Sequence, residues 1–287
     1  MRVLVTGGAG MLGKTLVEQL SHKHQVSYTA HLTPVKSPSA EAIECDLTRL
    51  GLNFVDFEAV VHTAAMTNVD QCQEHPELAY QSNVMATRNV TASAPGAHIV
   101  YISTDFIFNG KKGNYSEEDE PLPLSVYGQT KLQGEGEIPN GGCIIRTSIY
   151  GLGSSPEKPG MVEKMVNRLK NGEIVSGFTD QLFTPVSTGN MALFIEEILA
   201  RRLGGIFNIG SSQSYTKYEF IRSAATAFGF DPERVKPGLS SSVKYLAPRP
   251  RDVSLDTAKA QKVFRTKVWD LKQSFESIKL EWEARQY

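Results

Sequence analysis

The segment at residues 2–13 reads RVLVTGGAGMLG, and it decides the fold. Its first five residues are mostly aliphatic and β-branched, which is typical of a buried strand. Glycines follow at once, and apolar residues then recur from residue 11 to residue 20 with the spacing of a helix. In this context glycines let the backbone turn tightly and approach a pyrophosphate, and the helix N-terminus offers free N–H groups to phosphates. The segment therefore predicts the start of a dinucleotide-binding unit.

The strand–helix alternation continues through the first half of the chain. Short apolar strands are predicted at 25–29, 42–45, 59–62, 98–102 and 143–147, and helices at 76–94 and 124–138. Continuous rather than alternating apolar runs indicate strands that are covered on both faces, as in a parallel sheet. We therefore predict an α/β protein with a Rossmann-like, doubly wound parallel sheet.

The rhythm changes after residue 150. Mostly helical patterns follow, at 160–170, 188–201, 216–229, 256–264 and 270–286, with short strands near 173–176 and 206–209. We predict a dinucleotide-binding domain at 1–150, to which 184–210 return. A smaller, mostly helical C-terminal domain, formed by 151–183 and 211–287, would bind the substrate.

Composition excludes several functional classes. The 287 residues carry 30 basic and 31 acidic side chains, and this balance argues against a nucleic-acid binder. No stretch approaches the roughly 20 apolar residues that a membrane helix needs. The three cysteines (Cys45, Cys72 and Cys143) form no CxxC pair, so we expect no disulfide framework and no metal site. These features favour a cytoplasmic protein.

Tyr127 and Lys131 stand four residues apart in a predicted helix. Residues at i and i+4 share one helical face, so a phenol would lie beside an ammonium group. The pKa of a free tyrosine is about 10, and a neighbouring positive charge favours the phenolate and lowers this pKa. Such a shift is what a general acid needs near neutral pH. Alone, this spacing more often marks two surface side chains.

Ser103 and Thr104 follow the predicted strand 98–102, at the sheet edge where ligands bind in open α/β folds. A hydroxyl there can donate a hydrogen bond to a substrate carbonyl. An ordinary turn at the end of a strand is the alternative.

The choice of cofactor depends on the end of the second strand. No carboxylate is present there to bind the ribose 2′-hydroxyl of NAD, whereas His31 or Lys36 could meet a 2′-phosphate. We favour NADP and keep NAD as the alternative. Asp46 follows the third strand, where it would either accept a hydrogen bond from the adenine amino group or stabilise a turn.

The glycine loop, the Ser/Thr pair and the Tyr-x-x-x-Lys motif, in this order, resemble the extended short-chain dehydrogenase/reductases. Several longer segments are similar to dTDP-4-dehydrorhamnose reductases. They read AAMTNVD at 64–70, STDFIFNG at 103–110, YSEED at 115–119, PLSVYGQTKLQGE at 123–135 and RPRDVSLD at 249–256.

This resemblance implies reduction of a 4-keto group on a nucleotide-linked deoxysugar, with Thr104, Tyr127 and Lys131 as the catalytic set. Tyr127 would donate the proton, Lys131 would hold the nicotinamide ribose, and Thr104 would orient the carbonyl. Substrate contacts would come from Thr104, Asp105, Phe106 and Arg249. The residues that the resemblance places around the cofactor are Gly7, Gly10, Met11, Leu12, Gly13, Asp46, Leu47, Ala64, Ala65 and Asn83, with Tyr127 and Lys131. For Asn83 the alternative is a buried helix residue with a satisfied amide.

One segment departs from the family pattern. The reductases usually read Arg-Thr-Ser-Trp-Val-Tyr, whereas this chain has Arg146-Thr147-Ser148-Ile149-Tyr150 and is one residue shorter. The missing tryptophan leaves the identity of the sugar open. Arg249 has the fork geometry to bind a diphosphate, and an ion pair with an acidic residue is its alternative.

Two other functions stay open. One is an NADP-binding regulatory subunit, similar to the non-catalytic subunit of methionine adenosyltransferase. The other is a sugar-nucleotide epimerase or dehydratase, although Phe106 stands where dehydratases carry a glutamate. The expected partner is a nucleotide-sugar substrate, without nucleic acid or membrane. A homodimer is a possible assembly because dimers are the commonest soluble oligomers.

Overall fold

The computed structural model describes residues 1–31, 40–155 and 158–285. The strands are β1 (Arg2–Thr6), β2 (Gln25–Ala30), β3 (Glu41–Glu44), β4 (Ala59–His62), β5 (His98–Ile102), β6 (Cys143–Tyr150), β7 (Val175–Phe178), β8 (Leu182–Phe183), β9 (Pro185–Ser187), β10 (Gly205–Ile209), β11 (Tyr215–Thr216) and β12 (Val235–Gly238). The helices are α1 (Met11–Leu20), α2 (Val69–Glu74), α3 (Pro76–Tyr80), α4 (Ala86–Ser93), α5 (Val126–Glu135), α6 (Met161–Lys170), α7 (Thr188–Arg201), α8 (Lys217–Ala227), α9 (Ala258–Val263) and α10 (Leu271–Ala284).

The main sheet has the strand order β3-β2-β1-β4-β5-β6-β10, and β9 pairs with the end of β6. Every pairing in this sheet is parallel. The strand order reverses between β1 and β4, and ligands of doubly wound sheets bind at such a reversal. The predicted α/β class is confirmed.

Residues that alternate along a strand enter opposite cores of the sheet. Val3 and Val5 pack with the apolar faces of α1 and α7, whereas Leu4 packs with α4 on the other face. Both faces are covered, which explains why the strand sequences show continuous rather than alternating apolar runs.

A third core lies outside the sheet and is formed chiefly by α6, α8 and α10. Two short strand pairs belong to this region, β7 with β12 and β8 with β11. Helix α9 lies in the range that the sequence assigns to the C-terminal domain. In the structure, Ala260 and Phe264 pack into the core of the main sheet, because α9 contacts the edge strand β10.

The helix predicted at 76–94 is divided by a π-helical turn, Gln81–Met85, between α3 and α4. Such wide turns are often found at functional sites because they redirect side chains. In the part of the chain described above, no helix is both long and apolar enough to cross a membrane.

Candidate functional site

The glycine loop, residues 7–13, is shaped by backbone contacts that side chains would block. Gly7 has φ +68°, a conformation that favours glycine. A Cβ on Gly13 would lie 2.1 Å from the carbonyl oxygen of Gly7, so only glycine lets α1 pack this closely on the loop. The N-cap residue of α1 is Gly10, which has no side chain that could cap the helix. The loop therefore fits a bound phosphate group in both shape and polarity.

A cavity of about 430 Å³, called the large cavity below, joins this loop to the ends of β5 and β6. The residues that line it are Gly10, Met11, Leu12, Gly13, Thr63, Ala65, Thr67, Val69, Ile102, Ser103, Thr104, Asp105, Phe106, Tyr127, Lys131, Thr147, Ser148 and Ile149. Two buried polar atoms in this wall, Asp105 Oδ2 and Thr147 Oγ1, have no hydrogen-bond partner among the described residues. Unpaired buried polar atoms are costly, so they point to a ligand that supplies partners.

A second cavity, of about 260 Å³, adjoins the large cavity through Ala65. It is lined by Gly7, Thr29, His31, Cys45, Asp46, Leu47, Thr48, Ala64, Ala65, Met66, Ser82 and Ala86. His31 lines this second cavity, where it could contact a 2′-phosphate. Lys36 lies outside the described residues. Together the two cavities could hold an extended ligand that passes over the glycine loop.

Asp46 and Asn83 both have protein partners. The Asp46 carboxylate accepts hydrogen bonds from the backbone N–H and the hydroxyl of Thr48, which lower its pKa, so the turn interpretation holds while the residue still lines the second cavity. Asn83 is buried behind the cavity wall, with its amide bonded to both backbone groups of Met66 and to Thr130 Oγ1. Asn83 therefore matches the alternative of a buried helix residue with a satisfied amide.

The reactive side of the large cavity begins where β5 ends. Thr104 Oγ1 donates to Asp105 Oδ1 at 3.1 Å and accepts from the N–H of Phe106 at 3.2 Å. The Phe106 ring packs edge-on against Tyr127, with 6.0 Å between the ring centroids. These contacts bring the predicted catalytic threonine and tyrosine to one wall.

The titration of Tyr127 differs from the expectation. Burial raises the pKa of its phenol above the usual value, and the Thr104 hydroxyl opposes this rise. Burial also lowers the pKa of Lys131 to about 7, so the ammonium charge itself is disfavoured. The simple rule that a neighbouring lysine lowers the phenol pKa fails here because desolvation acts on both groups.

Asp105 and Lys217 form a second ionisable pair, which the sequence did not indicate. Burial raises the pKa of Asp105 to about 6, and the charge of Lys217 opposes this rise. Burial lowers the pKa of Lys217 to about 8. Lys217 is the first residue of α8, far along the chain, so no local motif links it to Asp105.

Arg249 is engaged by protein groups. Its Nη2 lies 3.0 Å from Asp70 Oδ2, and its guanidinium stacks on Tyr245 with 4.8 Å to the ring centroid. Asp70 Oδ1 also accepts from the N–H of Ala247. The ion-pair alternative is therefore present, although Nη1 is buried without a partner among the described residues.

Comparison with known proteins identifies the family. Residues 1–280 match the model of the RmlD substrate binding domain. The chain belongs to this family. It is 31% identical to a probable low-salt glycan biosynthesis reductase of Haloferax volcanii over 274 residues, with 91% of each chain covered. The resemblance to dTDP-4-dehydrorhamnose reductases is thereby confirmed at the level of the family.

Two further similar proteins have different functions in their names. The chain is 28% identical to the methionine adenosyltransferase 2 subunit beta of Bos taurus, with 91% of this chain and 81% of that protein covered. The fold matches a dTDP-4-dehydrorhamnose reductase of Bacillus anthracis, solved in complex with NADP, with TM-score 0.83, 24% identity and coverage of 98% and 99%. Proteins similar to this chain thus include a probable reductase and an adenosyltransferase subunit, so similarity alone does not decide whether the chain is catalytic.

Proposed function

We propose that the chain is an NADPH-dependent reductase of a keto group on a nucleotide-linked deoxysugar, similar to dTDP-4-dehydrorhamnose reductases. NADH is the alternative cofactor. One observation carries the proposal: a single cavity is lined both by the glycine loop and by Thr104, Tyr127 and Lys131. A cofactor held by the loop would therefore share its space with these side chains.

The residues fit a dinucleotide from end to end. Gly10 to Gly13 and the uncapped start of α1 would hold the pyrophosphate. The second cavity, with Asp46, Leu47 and Ala64, would hold the adenosine, and His31 at its rim favours a 2′-phosphate. When bound, the nicotinamide supplies the hydride that reduces the ketone.

The chain's own residues would handle the proton and orient the substrate. The raised pKa of Tyr127 keeps its phenol protonated, and the Tyr127 hydroxyl can give this proton to a developing alkoxide. Lys131, with a pKa of about 7, gains or loses its proton near neutral pH, and its amino group can form hydrogen bonds with ribose hydroxyls. Thr104 would release Asp105 Oδ1 and donate its one hydroxyl hydrogen to the carbonyl oxygen. Asp105 Oδ2 would accept from a hydroxyl on the sugar.

A regulatory subunit is the second candidate, because of the similarity to an adenosyltransferase subunit. The decisive experiment measures NADPH oxidation with a panel of dTDP- and UDP-linked 4-ketosugars, alongside NADPH affinity by fluorescence titration. Turnover of one sugar supports the reductase and identifies its substrate. Tight NADPH binding without turnover of any sugar would contradict the reductase and favour the regulatory role. Absence of binding would overturn both.

A further inference from the structure

The environment of the Lys131 ammonium group is unusual for a buried charge. Lys131 is only 3% exposed. Among the residues that the structure describes, no carboxylate oxygen lies within 4.0 Å of Nζ, although Glu135 stands one helical turn away. A buried ammonium without a close counter-ion tends to lose its proton. The charged form of Lys131 therefore depends on the other groups that surround Nζ.

The aromatic ring of Tyr101 is one of these groups. Lys131 Nζ lies 4.0 Å from the centroid of the Tyr101 ring, within the range of a cation–π interaction. Tyr101 is fully buried near the carboxyl end of β5, where its hydroxyl contacts α5. The Tyr101 ring therefore forms the floor under the ammonium group.

The ring is itself fixed from three sides. Its hydroxyl donates to the carbonyl oxygen of Lys131 at 3.3 Å, so side chain and backbone of the lysine meet the same tyrosine. A Cβ on residue 134 would lie 2.3 Å from that hydroxyl, and Gly134 leaves the required space. The His62 ring also stacks on the Tyr101 ring, at 5.7 Å between centroids.

The other titratable groups around Lys131 cannot replace the ring. His62 on β4 is uncharged near neutral pH, because burial lowers its pKa to about 3. Tyr127, on the same helix, is protonated. Glu135 favours the ammonium charge, but its carboxylate is bonded to Ser103 Oγ and to Arg146.

We infer that Tyr101 is a positioning residue for Lys131: its ring keeps the ammonium group charged and fixed at the wall of the large cavity. The inference rests on the proposed function, since it assumes that Lys131 serves a bound cofactor. Tyr101 acts only through Lys131.

The test compares rings of equal shape and different electron density at position 101. The reference is Y101F, which keeps a ring, and the test variant carries 3,4,5-trifluorophenylalanine, whose fluorines weaken the attraction of the ring for a cation. Y101L removes the ring altogether. Y150L, which deletes a buried tyrosine from the third core, controls for lost packing. The readout is NADPH affinity by fluorescence titration between pH 5.5 and 9, with melting temperature measured in parallel.

For wild type, NADPH affinity should fall as pH rises through the pKa of Lys131, near 7, because the ammonium form binds the anionic cofactor. Relative to Y101F, the fluorinated ring should move this fall to lower pH and weaken affinity at pH 7.5 by about 2- to 30-fold. Y101L should move the pH of this fall in affinity at least as far, and Y150L should leave that pH unchanged.

Identical pH profiles for the phenylalanine and trifluorophenylalanine variants would overturn the inference. The two side chains are nearly isosteric, so this comparison stands even where Y101L fails to fold. The variant K131M separates the two hypotheses. If wild type binds NADPH with an alkaline fall that K131M lacks, the cofactor role of Lys131 stands whatever Tyr101 does. If K131M keeps the wild-type profile, the role proposed for Lys131 fails first.

Discussion

The glycine-loop wall of the large cavity is built from backbone, whereas the opposite wall is built from buried ionisable side chains. On the first wall, Gly7 and Gly13 are required because a Cβ would collide with neighbouring backbone. On the second, Asp105, Tyr127 and Lys131 all have pKa values that burial has shifted. The first wall therefore works by shape, and the second by charge.

This difference predicts how substitutions in each wall should affect NADPH binding and catalysis. A change in shape should abolish binding, because a displaced loop cannot meet the phosphates. A change in ionisation should instead alter the chemistry or the way in which NADPH affinity depends on pH. The following predictions, from the largest expected effect to the smallest, test whether the walls separate in this way.

The largest effect is expected for Tyr127→Phe. This change removes the proton donor and keeps the ring that packs on Phe106, so turnover should fall by about 10²- to 10⁴-fold. NADPH affinity should stay within about threefold, since only one hydroxyl is lost. Ketosugar reduction and fluorescence titration measure the two quantities. Tyr150→Phe, in the third core, is the matched control, and equal turnover in the two variants would refute the proposed proton donor.

Arg146→Met should destabilise the fold under the reactive wall. Arg146 and Glu135 form a buried ion pair at 2.8 Å, with side chains only 4% and 6% exposed. Removing one partner leaves a buried charge unpaired, which costs about 3–5 kcal/mol. Urea denaturation measures the loss.

The matched control for this pair lies on the surface. Arg88 also binds its partner, Glu137, through two nitrogens, but its side chain is 52% exposed. Arg88→Met should therefore change the free energy of unfolding far less than Arg146→Met, because water can solvate Glu137. Equal losses in the two variants would show that burial does not decide the strength of these pairs.

Gly13→Ala tests the wall that works by shape. The new Cβ would lie 2.1 Å from the Gly7 carbonyl oxygen, so the loop or α1 must move. NADPH affinity should fall at least about tenfold, which corresponds to about 1.4 kcal/mol. Gly189→Ala in α7 is the control, because its Cβ would meet Trp269 at 3.5 Å and Ser277 Oγ at 3.7 Å, which are ordinary contact distances. Unchanged affinity in Gly13→Ala would contradict the phosphate-binding role of the loop.

The sequence predicted the features that depend on local chemistry. The glycine loop and the buried strands around it carry their signal within a dozen residues, and their positions in the structure follow that signal. The spacing of Tyr127 and Lys131 likewise places both on one face of α5, where both line the large cavity. Helix geometry alone is sufficient for this prediction.

Features that depend on distant contacts were beyond sequence reasoning. Lys217 acts on Asp105 because the fold brings the start of α8 near the end of β5, and Arg249 meets Asp70 across an even longer separation in the chain. The predicted lowering of the Tyr127 pKa was wrong because burial of the phenol by the whole fold raises its pKa, and the sequence does not show that burial. The sequence left open whether Asn83 contacts the cofactor or is a buried helix residue, because its amide partners, Met66 and Thr130, are distant in the chain.

The smallest and most specific effect concerns Asp105, whose pKa is raised to about 6 by burial. A carboxyl whose pKa is raised on folding stabilises the fold fully below its unfolded pKa, near 3.9, and loses this contribution as pH rises through the folded value. Asp105→Asn has no such titration, so its stability relative to wild type should improve from pH 5 to pH 8 by about 1–3 kcal/mol.

Asp119→Asn supplies the opposite sign, which makes the prediction for Asp105 specific. Lys112 and Ser116 hold the pKa of Asp119 down to about 2, so its contribution is present above pH 4 and is lost as the pH falls. Urea denaturation of both variants and wild type at several pH values from 2 to 8 measures the difference. If Asp105→Asn shows no pH-dependent gain over wild type, Asp105 is fully satisfied in the folded chain. The reactive wall would then be fixed by shape, as the glycine wall is, and its open carboxylate oxygen would no longer indicate a ligand.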